Sequence, residues 1–229
     1  MDDRAAPARV LAFDVNETLL DLRSLDPLFL ELLGNAELRG QWFAQMLQVA
    51  FVGAITGRYV DFTRAQHAAL AMVAEREGVT LTGEDAGRIV GAMRSLAPHP
   101  DAPGALAQLH DAGFTLAALT NSPADVARDQ LRHAALDGCF DAILSADQVR
   151  ALKPRREPYE LVARTFGTDV AGVRLVAAHA WDVAGALAAG CRAAFVARPG
   201  MVLSPVGEQP DIVADDLGAV ADRIIAAEG

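Results

Sequence analysis

Arg9-Val10-Leu11-Ala12-Phe13-Asp14-Val15-Asn16-Glu17-Thr18-Leu19 decides the fold of this chain. Four successive apolar residues, Val10 to Phe13, read as a strand buried on both faces, the pattern of a parallel sheet. The run stops at a carboxylate. Asp14 then stands at the strand's C-terminal end, where open α/β sheets place their ligands. A carboxylate there can attack an electrophilic carbon or phosphorus and form a covalent intermediate. An aspartate after a strand can also do no more than cap a turn.

Beyond this strand, residues 25–96 carry helical rather than strand patterns. Leu28, Leu32 and Leu33 recur at helical spacing, as do Trp42, Met46, Leu47 and Ala50, then Phe62, Ala65, Ala69 and Met72. Thr82-Gly83-Glu84-Asp85 resembles a helix start, and Pro98, Pro100 and Pro103 punctuate the chain afterwards. Strands and helices then alternate: strands over 114–119, 142–144, 174–178 and 193–196, helices over 124–134, 158–166, 183–189 and 217–227. Such alternation implies an α/β fold, a Rossmann-like parallel sheet with helices on both faces. Residues 1–20 and 98–229 form its core, and the helical block 21–97 is an insertion.

Bulk properties narrow the function. The chain has 229 residues, 52 % of them apolar, enough for a sizeable core. Its net charge of −10 argues against a nucleic-acid partner, which requires a basic footprint. Cys139 and Cys191 show no metal-like spacing, which suits a reduced, cytoplasmic protein. Met1-Asp2-Asp3-Arg4 lacks the apolar core of a signal peptide, and no stretch is apolar and long enough to span a membrane.

Asp14, Thr120-Asn121-Ser122, Lys153, and His179 with Asp182 all fall at or just past predicted strand ends, so one sheet edge can bring them together. Each has a plainer explanation. Thr120, Asn121 or Ser122 can cap the next helix, and Lys153 can be a solvated loop lysine. Trp42, Phe43 and Phe51 can be ordinary helix core rather than pocket wall.

Five segments resemble the haloacid dehalogenase superfamily: FDVNETLLDL at 13–22, GRYVDF at 57–62, LTNSP at 119–123, LKPRREPY at 152–159 and AHAWDVAGA at 178–186. The tyrosine six residues after the lysine, the GRYVDF helix and the AWD sequence resemble, more narrowly, its type II L-2-haloacid dehalogenases. The resemblance implies Asp14 as nucleophile, Thr18 as the hydroxyl supporting it, and Thr120 and Asn121 as contacts to substrate carboxylate and halide. It implies Lys153 as the cation beside the nucleophile, Asp182 as the carboxylate positioning Lys153, and Tyr159 as an active-site tyrosine at the substrate. A nearby ammonium keeps an aspartate ionised, which agrees with these roles. The implied reaction converts an L-2-haloacid and water to a D-2-hydroxyacid and halide through an aspartyl ester, with no metal and no cofactor. The helical insertion becomes a cap, and relatives of this type are often homodimers.

Two other functions compete. Magnesium-dependent phosphatases of the same superfamily place a second aspartate two residues after the nucleophile, where this chain has Asn16. The acidic cluster that helps bind magnesium is thin here, and a hard cation prefers several oxygen ligands. A non-catalytic binding protein on the same fold is the third reading.

Two departures from the dehalogenase pattern bear on halide and water. Phe43, after Trp42, stands where an arginine receiving the halide is expected, with Arg39 as the fallback. Phe43 and Trp181 are therefore assigned to an apolar halide and substrate pocket with a few donors such as Asn121. His179 stands in place of a neutral amide, and Glu17 can orient its ring so that it accepts a proton from water. The plainer alternative is that His179 bonds a loop carbonyl and Glu17 caps a turn.

Overall fold

The computed structural model describes residues 9–229; Met1-Asp2-Asp3-Arg4 and the remainder of the first eight residues of the core segment lie outside them. The first strand, β1 (Val10–Phe13), is buried throughout. A tight loop leads to β2 (Leu20–Asp21), then to helices α1 (Asp26–Leu33), α2 (Leu38–Ile55), α3 (Phe62–Glu77) and α4 (Gly83–Ala92). The chain returns through β3 (Ala97–Pro98), which pairs antiparallel with β2. There follow α5 (Ala102–Asp111), β4 (Thr115–Thr120), α6 (Ala124–His133), β5 (Ala142–Ser145) and α7 (Arg156–Phe166). The last elements are β6 (Val173–Ala177), α8 (Ala180–Ala189), β7 (Arg192–Val196), β8 (Ile212–Ala214) and α9 (Leu217–Glu228).

The main sheet has the order β5-β4-β1-β6-β7-β8, and all its pairings are parallel. Phe13 lies beside Ala118 on one flank and Val176 on the other, so β1 is the point from which strand order runs both ways. The C-terminal ends of β1, β4 and β6 therefore open on one crevice. Side chains alternate along β1 as the pleat requires: Leu11 and Phe13 join one apolar layer, Val10 and Ala12 the other. At the opposite end of β6, the fully buried Arg174 ties Asp211 and Glu228 to the sheet.

Local chemistry explains the helix ends. Thr82 and Asp85 form a reciprocal capping box at the start of α4, as the sequence predicts. Asp61 caps α3, whose buried face runs through Phe62, Ala65, Ala69 and Val73, while Met72 is turned outward. The apolar stripe follows the 3.6-residue period, and Met72 falls off it by one position. In α1 the buried residues are Phe29 and Leu33 rather than Leu28 and Leu32. Three elements lie outside the sequence expectation: α5, β8 and the β2–β3 ribbon. Pro103 marks the first turn of α5, where no intrahelical N–H is required, so the proline starts a helix rather than only breaking one. No helix among the described residues is long and apolar enough to cross a membrane.

Candidate active site

The end of β1 presents Asp14, and the loop behind it carries three more polar groups. Asp14 N donates to Val176 O at 3.0 Å, which continues the sheet by one residue and fixes the carboxylate at its edge. Thr18 Oγ1 donates to Asp14 Oδ2 at 2.8 Å and accepts from Ala178 N at 2.9 Å, so the main chain after β6 orients the hydroxyl. Glu17 sits in the left-handed region at φ 63°, a conformation costing a non-glycine residue about 1–2 kcal/mol. Strain of this kind persists where surrounding structure enforces it, and here Glu17 N donates to Leu20 O while His99 Nε2 donates to Glu17 O.

Lys153 occupies the centre of the cluster and is no solvated loop residue. It is 1 % exposed, and its Nζ donates to Asp14 Oδ1 at 2.9 Å, Asp182 Oδ2 at 2.6 Å and Leu119 O at 2.8 Å, using all three ammonium hydrogens. The main chain at Lys153 is clamped by Asn121, whose Oδ1 accepts from Lys153 N and whose Nδ2 donates to Lys153 O. Asn121 thus spends most of its amide on the lysine and keeps one N–H for a ligand. Thr120 Oγ1 accepts from Ser122 N, and neither residue caps α6, whose first turn follows Pro123 without a side-chain cap.

Tyr159 corrects the sequence expectation. It is fully buried, and its hydroxyl donates to Asp182 Oδ1 at 2.6 Å, behind the cluster rather than at the chamber wall. Its effect is to hold Asp182, which in turn holds Lys153. A Cβ on Gly185 would come 2.5 Å from Pro154 Cβ and 2.6 Å from the Tyr159 hydroxyl, so only glycine lets α8 approach this closely.

His179 and Glu17 do meet. His179 Nδ1 faces Asp14 Oδ2 at 3.0 Å, and Nε2 faces Glu17 Oε2 at 3.3 Å. Burial disfavours charge on the ring, but hydrogen bonds to Asp14 and Glu17 outweigh it and raise the imidazole to about 9. With a carboxylate at each nitrogen, the resting ring is an imidazolium and has no lone pair for water. This amends the expected tautomer.

Burial alone would also raise Asp14, but the Lys153 ammonium and the His179 contact hold it well below the usual carboxylate range. Lys153 is raised: Asp14 and Asp182 overcome the burial that would lower it. Asp182 is pushed up by burial and by the charge of Asp14, against the pull of Lys153. Asp14 is therefore an ionised carboxylate flanked by two cations.

A narrow chamber lies over Asp14, walled by Asn16, Phe43, Phe62, Thr120, Asn121, Lys153, His179 and Trp181. All of these except Trp181 are buried. Phe43 stacks on His179 with centroids 5.6 Å apart, His179 stacks on Trp181, and Phe51 meets Trp181 edge-on. Trp42, by contrast, is core: its indole N–H donates to Gln66 O and its ring packs on Phe29. The Trp181 indole N–H is buried without a partner among the described residues.

Several contributors carry no mark in the sequence. Gln130 on α6 donates to Asn16 Oδ1 and to Met93 O, and Asn16 Nδ2 reaches Ser122 Oγ, so Asn16 is a fixed neutral amide. A buried glutamine on a helix looks like any polar helix residue until its partner is seen. The donor set does not fit a divalent cation. Both oxygens of Asp14 are engaged by Lys153, Thr18 and His179, and Asn16 is neutral where a second carboxylate would serve.

The model of the haloacid dehalogenase-like hydrolases matches residues 8–190 of this chain. An (S)-2-haloacid dehalogenase of Pseudomonas sp. (strain YL) is 30 % identical, with 96 % of this chain and 95 % of the relative aligned. Haloacetate dehalogenase H-2 of Moraxella sp. (strain B) is 28 % identical over 93 % of this chain and 96 % of its own length. The L-2-haloacid dehalogenase of Xanthobacter autotrophicus, solved with chloropropionic acid covalently bound, superposes with a TM-score of 0.89 at 28 % identity, covering 96 % of this chain and 99 % of that one.

Proposed function

This chain belongs to the haloacid dehalogenase-like hydrolases, and on that premise we propose that it hydrolyses small L-2-haloalkanoic acids to D-2-hydroxyacids and halide through an ester on Asp14. The observation that carries this is an ionised Asp14 gripped by Lys153 in a small, largely apolar chamber, with the neutral Asn16 two residues on. An amide there cannot donate a proton to a leaving alkoxide as a phosphatase's second aspartate does.

In the first step a carboxylate oxygen of Asp14 attacks C2 from the side opposite the halogen. The C–O bond forms, the C–halogen bond breaks with its electron pair, and C2 inverts. The Thr120 hydroxyl, the remaining Asn121 N–H and the Lys153 charge face the substrate carboxylate. Phe43, Phe62 and Trp181 form the apolar halide wall, and the unpartnered Trp181 N–H is the donor that meets the departing anion.

Ester formation removes the charge of Asp14. His179 then loses the anion that held the Nδ1 proton, and that proton leaves as the net acid of the reaction. In the second step the oxygen of water bonds to the ester carbonyl carbon and one of its protons goes to His179 Nδ1. The bond to the product oxygen breaks, that oxygen takes the second proton, and Asp14 returns as carboxylate beside an imidazolium. Glu17 keeps the Nε2–H in place throughout.

Residues 21–97 act as the cap, hinged at the β2–β3 ribbon and excluding bulk water. Exposed Val52, Ile55 and Met72 on this block suit a homodimer, and the free Cys139 and Cys191 suit the cytoplasm.

The test is halide release from the two enantiomers of 2-chloropropionate beside a generic phosphatase assay. Release from the L enantiomer, with the D-2-hydroxyacid as product, is expected. In oxygen-18 water a first turnover labels Asp14 and leaves the product unlabelled. Phosphate-ester turnover without halide release would replace this function with the phosphatase reading.

A further inference from the structure

Glu17 is held from two sides. Its Oε2 meets His179 Nε2 at 3.3 Å, and its Oε1 lies 3.6 Å from Arg39 Nη1. Arg39 is itself braced by Asp26, Nε to Oδ1 at 2.6 Å. This contact lies in a second cavity, of about 200 Å³, lined also by the exposed Pro199 and Gly200. Arg39 lines that cavity and does not line the chamber over Asp14.

The other charged groups facing Glu17 are committed elsewhere. Arg23 pairs with Asp21, and Arg198 is held by Asp101 and the Thr18 carbonyl. His99 donates to the main-chain carbonyl of Glu17, not to its carboxylate. Besides His179 itself, Arg39 is therefore the cation that reaches the carboxylate. It stands four residues before Phe43 on α2, and residues at that spacing share a helix face. Phe43 lies flat on His179. One face of one cap helix thus touches both members of the pair, Arg39 on Glu17 and Phe43 on His179.

We propose that Arg39 is a positioning residue for ester hydrolysis: through Glu17 it fixes the His179 ring, so that seating of the cap helix assembles the water-activating pair. This rests on the hydrolytic role given to His179 above. It also places Arg39 outside halide recognition, although it is the nearest arginine in sequence to the position where one is expected. Holding Glu17 by an arginine from the cap makes base placement conditional on cap closure, which keeps water activation from outrunning ester formation.

The experiment compares Arg39→Ala, Arg39→Lys and Asp26→Asn with the unaltered protein in single turnovers of (S)-2-chloropropionate, following the Asp14 adduct by rapid-quench mass spectrometry. Arg39→Ala is expected to form the ester at an unchanged rate and to break it down at least about tenfold more slowly, so that adduct accumulates. Arg39→Lys restores most of the breakdown rate, and Asp26→Asn shows a milder delay in the same step. Slowed ester formation in Arg39→Ala would make Arg39 a substrate or halide group and overturn the proposal, as would two unchanged rates. A second readout needs no substrate: nitrogen-15 NMR titration of the His179 ring. Without Arg39 the Glu17 carboxylate swings off the ring, and the His179 titration moves down toward its ordinary value by about one unit, against the rise that loss of a nearby cation alone would give; Arg39→Lys leaves it in place. An unmoved or raised titration overturns the proposal whatever the substrate, whereas absence of any adduct in the unaltered protein, with the downward shift present, faults only the dehalogenase function.

Discussion

The phenyl ring of Phe43 lies parallel to the imidazole of His179, 18° from coplanar with centroids 5.6 Å apart. Phe43 belongs to the helical block and His179 to the loop leaving β6, so this one contact joins the two parts of the molecule directly over Asp14. An arginine at position 43 would bring a cation against an imidazolium. The phenyl ring instead offers its π-face to that charge, and Phe43 in place of a cation is consistent with a charged partner below it.

Asp14 and Lys153 separate chemistry from folding. Asp14→Asn should abolish adduct formation while the protein stays folded, because Lys153 keeps Asp182 as its counter-ion. Lys153→Met should abolish activity and also cost about 3–5 kcal/mol, since it leaves Asp182 buried without a cation and Asp14 with His179 alone. Chemical denaturation beside mass spectrometry of the adduct distinguishes the two outcomes.

The His179 ring makes stability pH-dependent. Its value of about 9 in the folded protein exceeds the ordinary 6.5, so its contribution is fully present below about pH 6.5 and is lost as pH rises through 9. A shift of this size corresponds to roughly 3 kcal/mol. Denaturation midpoints should fall across that window in the unaltered protein and stay flatter in His179→Asn. Equal slopes in the two proteins would mean the ring is neutral at rest.

His179→Asn should also divide the two chemical steps. The amide can still hydrogen-bond Asp14, so alkylation proceeds, but it cannot take a proton from water. The Asp14 adduct should then accumulate in the steady state. An overall rate equal to the unaltered protein, with no adduct, would return His179 to a structural role.

Trp181→Phe removes one N–H and keeps an aromatic wall. A hydrogen bond to a charged group contributes about 1.5–3 kcal/mol, so halide departure should slow by about 10–100-fold, with hydrolysis of the formed ester unchanged. The two tryptophans, Trp42 and Trp181, give an internal comparison by NMR. The Trp181 indole signal should shift saturably with added bromide while that of Trp42, bonded to Gln66, stays put.

Halide release should persist in excess chelator. The neutral Asn16 and the two cations on Asp14 leave no set of oxygens for a divalent ion, and a haloacid carries no phosphoryl charge to be neutralised. Strict dependence on added magnesium would contradict this.

What could be read along the chain is what local pattern controls. The period of the apolar residues specifies helices between residues 25 and 72, the Thr82–Asp85 signature marks the start of another, the alternation after residue 98 specifies a parallel sheet, and the abrupt stop at Asp14 specifies where its ligands gather. The gathering of polar residues around Asp14 was legible for the same reason, since strand ends of one sheet must converge. The short β2–β3 ribbon was not legible, because two-residue strands have too few positions for a period. Only the tertiary structure decided that Tyr159 stands behind Asp182 rather than at the wall, that Gln130 anchors Asn16, and that His179 rests as a cation. Each of these depends on which groups from distant elements come within 3 or so ångströms of one another, and hydrogen bonding and charge at that range leave no periodic trace in the sequence.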